Sequence, residues 1–243
     1  MIQELKNYYY ANGISAFGFR CHFANSCRLF CDNFVEAKEA YVGSEYDKQK
    51  GTLPRVLFLS SDPGGGDPNP QTRTMEAVRR SEEECDPESL PKNGHWHHTH
   101  KLAWILLKKF NPNLQFKDIC PYFAHTNSAK CCEDYNQRAQ SADRLFENCR
   151  GYIPREIQIL DPDILITQGD SAKWAVEYGF SQSTTLIEID SASDHCNYHL
   201  IQMNGKEVLW FASYHPNNPG GLYRRRSVPC FGTWAEEAYR RLG

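Results

Sequence analysis

A short apolar run that ends in a glycine-rich turn constrains this fold more than any other feature of the sequence. Residues 56–59 (Val-Leu-Phe-Leu) are all apolar, which is typical of a β-strand buried on both faces. Pro63 and the glycines at positions 64–66 end the regular structure and let the backbone approach a ligand closely. Asp62 lies at the corner, where the carboxyl ends of strands form active sites in α/β proteins.

The same arrangement of strand and helix patterns recurs along the chain. The pattern predicts strands at 55–60, 122–126, 164–167 and 208–212, an edge pairing at 184–189, and helices at 1–12, 27–42, 74–84, 99–110, 143–160, 170–178 and 233–242. Alternating strands and helices favour an α/β fold. We predict a three-layer α/β/α sandwich with a central, mostly parallel four-stranded sheet, in a single domain over residues 1–243.

Composition limits the compartment and the partners. The net charge of −3 means that any nucleic-acid surface must be local. The sequence contains no apolar run near the ~20 residues that span a bilayer, and its first residues lack the apolar core of a signal peptide. We therefore expect a cytoplasmic monomer with no membrane partner. In that reducing compartment the 10 cysteines are expected to be core residues or metal ligands rather than disulfides.

Three predicted strands end in distinctive polar turns. Asp62 follows the first strand, Asn127 follows the second, and His215 follows the last. Because right-handed parallel crossovers bring these ends to one edge of the sheet, the three side chains are expected to converge on one cleft.

The motifs at these turns resemble those of the uracil-DNA glycosylase superfamily, most closely its iron–sulfur branch. Residues 60–64 (Ser-Ser-Asp-Pro-Gly) fit the first motif, Gly-Glu-Ala-Pro-Gly in that branch and Gly-Gln-Asp-Pro-Tyr in another. Residues 126–131 (Thr-Asn-Ser-Ala-Lys-Cys) resemble Thr-Asn-Val-Val-Lys-Cys. Residues 161–169 resemble the family's third strand, and residues 214–216 (Tyr-His-Pro) resemble the last motif, Tyr-His-Pro-Ser. The similarity runs in family order from about residue 55 onward, with 65–95 departing from it.

This resemblance implies a monofunctional DNA glycosylase that flips a pyrimidine out of DNA and hydrolyses its N-glycosidic bond. Asp62 would stabilise the sugar cation, and His215 would donate a hydrogen bond to the leaving base. Asn127 would read the base edge, with Ser61, Gly64 and an aromatic wall from Phe123 or Trp96 completing the pocket. No lysine is placed convincingly for a Schiff-base lyase, although Lys130 stays open.

The glycines suggest the substrate. The uracil-specific branch has a bulky tyrosine after Asp-Pro, where this chain has Gly64, and Ser61 replaces a longer Gln or Glu. The hypothesis is a pocket that admits a 5-substituted or hypermodified pyrimidine as well as, or instead of, uracil, for DNA repair or defence against modified phage DNA. The alternatives are a non-catalytic DNA-binding module that recognises modified or damaged bases, and a nucleotide enzyme. The nucleotide enzyme is disfavoured because no Gly-Lys-Ser/Thr follows the glycines.

A basic loop follows His215 and is the candidate DNA contact. Leu222 and Tyr223 would form a wedge in the base stack, and Arg224, Arg225 and Arg226 would bind phosphates. The alternative is an ordinary solvated loop. The histidine-rich segment at 95–100 is interpreted as a polar loop and helix start that line the cleft rather than as a metal site.

The cysteines raise the question of a cofactor. The resemblance places Cys131 and Cys149 at two ligand positions of a [4Fe–4S] cluster, and the helical segment 1–50 would supply the others, Cys27 and Cys31, with Cys21 as an alternative. Zinc and no metal are the other possibilities, since buried cysteines also act as small apolar residues.

Overall fold

The computed structural model describes residues 1–49, 52–64, 67–133, 142–189, 196–217 and 220–243. The helices in these ranges are α1 (Ile2–Ala11), α2 (Ala24–Phe30), α3 (Met75–Glu83), α4 (His95–Phe110), α5 (Asp143–Cys149), α6 (Ile153–Leu160), α7 (Asp170–Phe180) and α8 (Phe231–Leu242). The strands are β1 (Phe34–Val35), β2 (Tyr41–Val42), β3 (Val56–Ser60), β4 (Phe123–Asn127), β5 (Cys132–Glu133), β6 (Ile164–Gln168), β7 (Thr184–Ile187), β8 (Tyr198–Met203) and β9 (Lys206–Ser213).

The main sheet confirms the predicted α/β class and is wider than expected. Its order is β2-β4-β3-β6-β9-β8-β7, so seven strands are paired where the sequence predicted four. Strands β4, β3, β6 and β9 run parallel, while β2, β8 and β7 are antiparallel to their neighbours. The sheet is therefore mixed. The prediction missed β8, which forms a hairpin with β9 through Asn204 and Gly205, both at positive φ as such tight turns require.

Alternation along each parallel strand buries both faces of the sheet. Val56 and Phe58 of β3 join one apolar cluster, in which α4 and α8 pack, and Leu57 and Leu59 join a second one with α1, α6 and α7. The same alternation places neighbouring polar residues at the strand ends on opposite faces of the sheet.

Three predicted helices have different bounds. The helix predicted over 27–42 is wrong beyond Phe30, because Asn33 takes a left-handed conformation (φ 51°) and the chain continues as β1 and β2. The helix predicted over 143–160 is two helices, and Pro154 lies in the first turn of the second, where its missing N–H is tolerated. Helix α4 begins at His95, four residues earlier than predicted, so the histidine cluster is helical.

The expectation that the cysteines form no disulfides is wrong. Cys196, just before β8, is bonded to Cys230 at the start of α8, with a Cα–Cα distance of 5.1 Å. The two are 34 residues apart, and only the packing of α8 against the sheet brings them together. The other eight cysteines are free. Within the described ranges, no helix combines the length and the apolarity needed to cross a membrane.

Candidate functional site

The carboxyl ends of the four parallel strands bring the predicted site residues together. Asp62 follows β3, Asn127 ends β4, and His215 follows β9. Gln168 ends β6 between them, paired in register with Ser213, and Ser60 pairs with Asn127. The convergence expected from parallel topology is thus present in the fold.

Hydrogen bonds fix the turn that carries Asp62. Its Oδ1 accepts from the backbone N–H of Gly64 at 2.7 Å, which closes a tight turn. The Asn127 amide donates to the backbone carbonyl of Asp62 at 2.9 Å, and Ser128 Oγ donates to the carbonyl of Ser61 at 2.9 Å. Asn127 therefore positions the Asp62 turn with one amide proton and keeps its side-chain oxygen and second proton for other partners.

Gly169 is a site residue to which sequence reasoning gave no role. It has φ +98°, a region that side chains avoid, and a Cβ built there would lie 3.2 Å from the His215 Cβ and 3.5 Å from Ser61 Oγ. The absence of a side chain at this position lets the end of β6 approach the ends of β3 and β9. The signal in the sequence was a glycine directly after an apolar strand.

A buried polar network lies behind the strand ends and was also missed. Ser60 Oγ donates to the Gln168 side-chain carbonyl at 2.6 Å, and His95 Nε2 lies 2.8 Å from that same oxygen. His125 Nε2 is 2.8 Å from Ser60 Oγ. Thr99 exchanges hydrogen bonds with Gln168. The available signal was a polar residue, Ser60 or Gln168, ending an otherwise apolar strand.

The chemistry of these groups fixes the histidine tautomers. The Gln168 oxygen can only accept, so His95 must donate to it from Nε2. The single proton of the Ser60 hydroxyl goes to Gln168, so His125 must also donate from Nε2. Both neutral rings then carry their proton on Nε2 and a lone pair on Nδ1.

The three histidines at this edge are held neutral. Burial, followed by the repulsion from His215, lowers the pKa of His95 to about 4, against the pull of Gln168 and Asp62. Burial also lowers the pKa of His215, and burial together with the nearby His95 lowers that of His125 well below its usual range. His95 thus lies within electrostatic reach of both His215 and Asp62.

His215 presents a hydrogen-bond donor. Its Nδ1 accepts from the backbone N–H of Asn217 at 3.2 Å, so the neutral ring carries its proton on Nε2. The imidazole is half-buried, and its centroid is 4.9 Å from that of His95. Asn218, Gly65 and Gly66 belong to the predicted site turns and lie outside the described residues.

The aromatic wall is not Phe123. That ring is fully buried in β4 and packs against Tyr41, Phe58 and His100, so it belongs to the core and does not reach the cleft. Trp96 is half-buried and stacked on His95 at 5.8 Å, and is the aromatic residue beside the site. Helix α4 directs His95 and Thr99 toward Gln168 of the sheet, and Trp96 then lies against His95.

The basic loop is divided between core and surface. Tyr223 is 1% exposed and packs against His98 and Phe231, so it is not the exposed wedge that the sequence predicted. Leu222 is half-buried, and Arg224, Arg225 and Arg226 are exposed. Among the described residues none of these arginines pairs with a carboxylate; they donate to the side chain of Asn93, the backbone of Gly220 and the side chain of Tyr214.

Lys130 is unavailable as a Schiff-base lysine. Its side chain is 1% exposed, and its Nζ donates to Glu156 at 2.8 and 3.0 Å and to Thr126 at 2.7 Å. Tyr9 donates to the same carboxylate at 2.5 Å. This network lies on the α1 and α6 side of the sheet, away from the histidines.

The cysteines form a group different from the one predicted. The thiols of Cys21, Cys27, Cys131 and Cys149 all interact electrostatically with one another. Burial raises the pKa of Cys149 to about 12 and that of Cys131 well above its usual range. Cys31 instead lies beside Glu133, and burial followed by that carboxylate raises its pKa to about 12. Cys21, the alternative ligand, therefore joins the group in place of Cys31.

This group does not have the spacing of a single-ion site. Among the described residues, no three His, Cys, Asp or Glu side chains are arranged to hold one metal ion, which gives the zinc alternative no support. A [4Fe–4S] cluster is wider, because each thiolate binds a different iron. Cys27, Cys131 and Cys149 lie in one apolar cluster with Phe19, Phe23 and Phe34, and Cys31 lies there too. Cys21 packs beside the adjoining cluster and contacts Tyr152, which borders both. Neighbouring thiols of this kind fit that donor set.

Comparison with known proteins adds no relative to this description. No protein-family model and no curated protein sequence matches the chain.

Proposed function

We propose that this protein is a DNA glycosylase that hydrolyses the N-glycosidic bond of a flipped-out pyrimidine. The observation that carries the proposal is the convergence of Asp62, Asn127 and a neutral His215 at the ends of parallel strands. The same proposal includes the three-layer α/β/α arrangement of the uracil-DNA glycosylase superfamily, with a core of four parallel strands.

Breaking this bond leaves positive charge on the sugar and negative charge on the base. The Asp62 carboxylate accepts from the Gly64 N–H, and the Asn127 amide holds the backbone carbonyl of Asp62; this carboxylate would stabilise the sugar cation and orient the attacking water. A carboxylate fixed before the reaction loses little free energy to reorganisation, which is why electrostatic stabilisation of this kind is effective.

The leaving base needs a donor for its O2 oxygen. His215 offers Nε2–H without a formal charge, and its lowered pKa keeps it in this form at neutral pH. The N-terminus of α4, which begins at His95 without an acidic residue in its first turn, adds a positive end of a helix dipole beside the departing anion.

The substrate that we propose is uracil or a 5-substituted pyrimidine. Gly64 is exposed, and a Cβ there would meet no atom within 4 Å, so the turn after Asp62 leaves open space where the uracil-specific branch has a tyrosine. Trp96 would form the aromatic wall, and Arg224, Arg225 and Arg226 with Leu222 would contact DNA.

A [4Fe–4S] cluster is part of the proposal, with Cys21, Cys27, Cys131 and Cys149 as its ligands. Such a cluster would link the N-terminal segment to the end of β4, near Asn127, and so would act as a structural crosslink. Broad visible absorbance and iron content of the purified protein test this. Cys131→Ser should abolish both, while Cys31→Ser should keep them.

The activity is tested on oligonucleotides that carry uracil, thymine or 5-hydroxymethylcytosine, the last with and without a sugar. Release of a free base by the wild-type protein is expected, and Asp62→Asn should reduce the rate by about 10²–10³-fold. Asp67→Asn is the matched control, because Asp67 caps an exposed turn of the same kind by accepting from Asn69 at 2.9 Å. Cleavage of uracil alone would exclude the enlarged pocket.

If the wild-type protein and Asp62→Asn both bind modified DNA and neither releases a base, the glycosylase is refuted and the alternative, a DNA-binding module, is favoured. A cytoplasmic monomer that acts in repair or in defence against modified phage DNA is the setting that we propose.

A further inference from the structure

The outer face of α4 carries an unassigned stripe of cationic and aromatic residues. His97, Lys101, Trp104 and Lys108 follow one another at helical spacing, whereas Leu102, Ala103, Leu106 and Leu107 form the buried face. We call these four residues the α4 stripe. None of them contributes to the site at the strand ends.

Two surface hollows meet at the indole of Trp104. One has a volume of about 360 Å³ and is lined by Trp104, Ile105, Lys108, Lys109 and Pro112. The other, of about 250 Å³, is lined by His97, Lys101, Trp104 and Phe116. Trp104 is half-buried and anchored by a hydrogen bond from its Nε1 to the carbonyl of Leu114 at 2.9 Å. The indole thus borders both hollows and is held in place, so it could stack on a flat group that enters one of them.

The charge of this face is positive. Helix α4 has three lysines and no carboxylate, and Lys109 is paired with Glu236. Within the described ranges, Lys101 and Lys108 pair with no carboxylate, and the Lys108 ammonium rests 4.5 Å from the centre of the Trp104 ring. The stripe therefore offers two ammonium groups without a carboxylate partner beside one aromatic ring, and that of Lys108 lies over the ring.

The α4 stripe is continuous with the basic loop and the candidate active site. Arg224 donates to Asn93, just before α4, and after burial the charges of His97, Arg224 and Lys101 help to lower the pKa of His98 to about 4. The helix begins at His95 in the site, and Lys108 lies 13 residues further on, or about 20 Å along the axis. This distance corresponds to about six nucleotides at the rise of a stacked strand.

We propose that the α4 stripe binds single-stranded nucleic acid that flanks the nucleotide held at the strand ends, with Lys101 and Lys108 on phosphates and Trp104 stacked on a base. This inference rests on the proposed function for the position of that nucleotide. An acidic peptide would also suit the lysines, but hollows on both sides of one indole and continuity with Arg224 favour a strand with flat bases.

The test compares binding of single strands of about 3 and about 15 nucleotides, each with the target base. The long strand is made in two forms, extended on the 5′ side or on the 3′ side of that base. Trp104→Ala should weaken binding of the long strand about 10-fold and leave the short strand unchanged. The double variant Lys101→Ala/Lys108→Ala should reduce the slope of log affinity against log salt by about 1.4 for the long strand only.

Trp174→Ala and Lys173→Ala are the controls. Trp174 is 54% exposed beside Lys173 on α7, which packs on the other face of the sheet. Both controls should bind long and short strands like the wild type. Equal losses in Trp104→Ala and Trp174→Ala, or tighter binding of a polyglutamate peptide than of the long strand, would overturn the α4 stripe as a strand-binding surface.

Base release from the short strand separates this inference from the proposed function. Normal excision with no dependence of affinity on strand length refutes the α4 stripe alone. A length-dependent affinity that Trp104→Ala removes, without excision of any base, refutes the glycosylase and supports the α4 stripe.

Discussion

Two buried polar networks lie back to back across β4, and they differ in charge. His125 joins the network of Ser60, Gln168 and His95 on the α4 side, and the next residue, Thr126, joins that of Lys130 and Glu156 on the α6 side. Both are buried to a similar degree. The first contains neutral groups whose protons are held by hydrogen bonds, and the second contains an ion pair.

The difference separates a group of side chains suited to a ligand from one suited to stability. A neutral histidine beside a cleft can donate and accept hydrogen bonds to a ligand without a buried formal charge. In contrast, the Lys130 ammonium and the Glu156 carboxylate have satisfied one another and would leave a buried charge if either changed. The comparison predicts that breaking the charged network costs far more stability than removing one group of the neutral network, and that activity depends on the side chains beside the neutral network.

The largest effect is expected when the ion pair is broken. Lys130→Met leaves the Glu156 carboxylate buried without its cation and should lower the free energy of unfolding by about 3–5 kcal/mol. Urea titration measures this loss. Lys173→Met is the control, since Lys173 and Glu177 form an ion pair whose side chains are 42% and 46% exposed, and its effect should stay below about 1 kcal/mol. Similar losses in both variants would refute a special structural role for Lys130.

The next effect is on catalysis. His215→Leu should lower the rate of base release by about 10²–10³-fold through loss of the Nε2–H donor, with a small change in unfolding free energy. His215→Gln places an amide N–H near the same position and should recover part of the rate. His199→Leu is the control: His199 is a half-buried histidine on β8 that packs against Trp210. A rate unaffected by His215→Leu would remove this residue from the mechanism.

The neutral network and its neighbours also predict a pH dependence of stability. The pKa values of His95, His98 and His100 are lowered to about 4, first by burial in each case. Between about pH 4 and the ordinary histidine value of about 6.5, the unfolded chain binds more protons than the folded one, so stability falls as pH falls through this window. His95 and His100, which are deeply buried, each contribute a slope of up to about 1.4 kcal/mol per pH unit, and His98 contributes less because solvent screens its charge.

His100→Phe tests this slope at a fully buried position. The variant should lower by about one the number of extra protons that the unfolded chain binds relative to the folded chain. This number is obtained from the slope of the unfolding free energy against pH. His22→Phe, at an exposed position outside α4, should leave the slope as in the wild type. A wild-type stability that stays flat from pH 6.5 to pH 4.5 would contradict the neutral state of these histidines.

The sequence predicted the residues at the strand ends of the candidate site better than the buried hydrogen-bond network behind them. Asp62, Asn127 and His215 were found because a polar residue after a buried strand marks the active edge of an α/β sheet. Gln168 and Ser60 were missed because they are about one hundred residues apart in the chain, and Lys130 was left open because its pairing depends on which face α6 covers.

In the fold, likewise, features set by local sequence were predicted, whereas features set by contacts between distant segments were missed. Strongly apolar strands such as β3 and β6 were predicted within a residue of their ends, since apolar runs of that length are typical of buried strands. The error after Phe30 has a local cause, because an apolar stripe at helical spacing continues through residues that Asn33 turns into short strands. The edge pairing predicted at 184–189 is present as β7, whereas the disulfide and the other edge strand, β2, depend on packing between distant segments, which periodicity does not report.

The smallest predicted effect sharpens the comparison at a single hydroxyl. Ser60→Ala leaves the Nε2–H of His125 without its acceptor, which should lower the free energy of unfolding by about 1–2 kcal/mol. Since Gln168 still accepts from His95, the neutral state of that ring and the rate of base release should change less than in His215→Leu. Urea titration and excision kinetics on the same preparations measure both.

Ser183→Ala is the control. It removes a hydroxyl that lies far from the site and donates to the carbonyl of Phe180 at 3.1 Å, and it should lower the free energy of unfolding by less than about 1 kcal/mol. A collapse of activity in Ser60→Ala with unchanged stability would instead assign the hydroxyl to the reaction, and the two networks would then differ in more than charge.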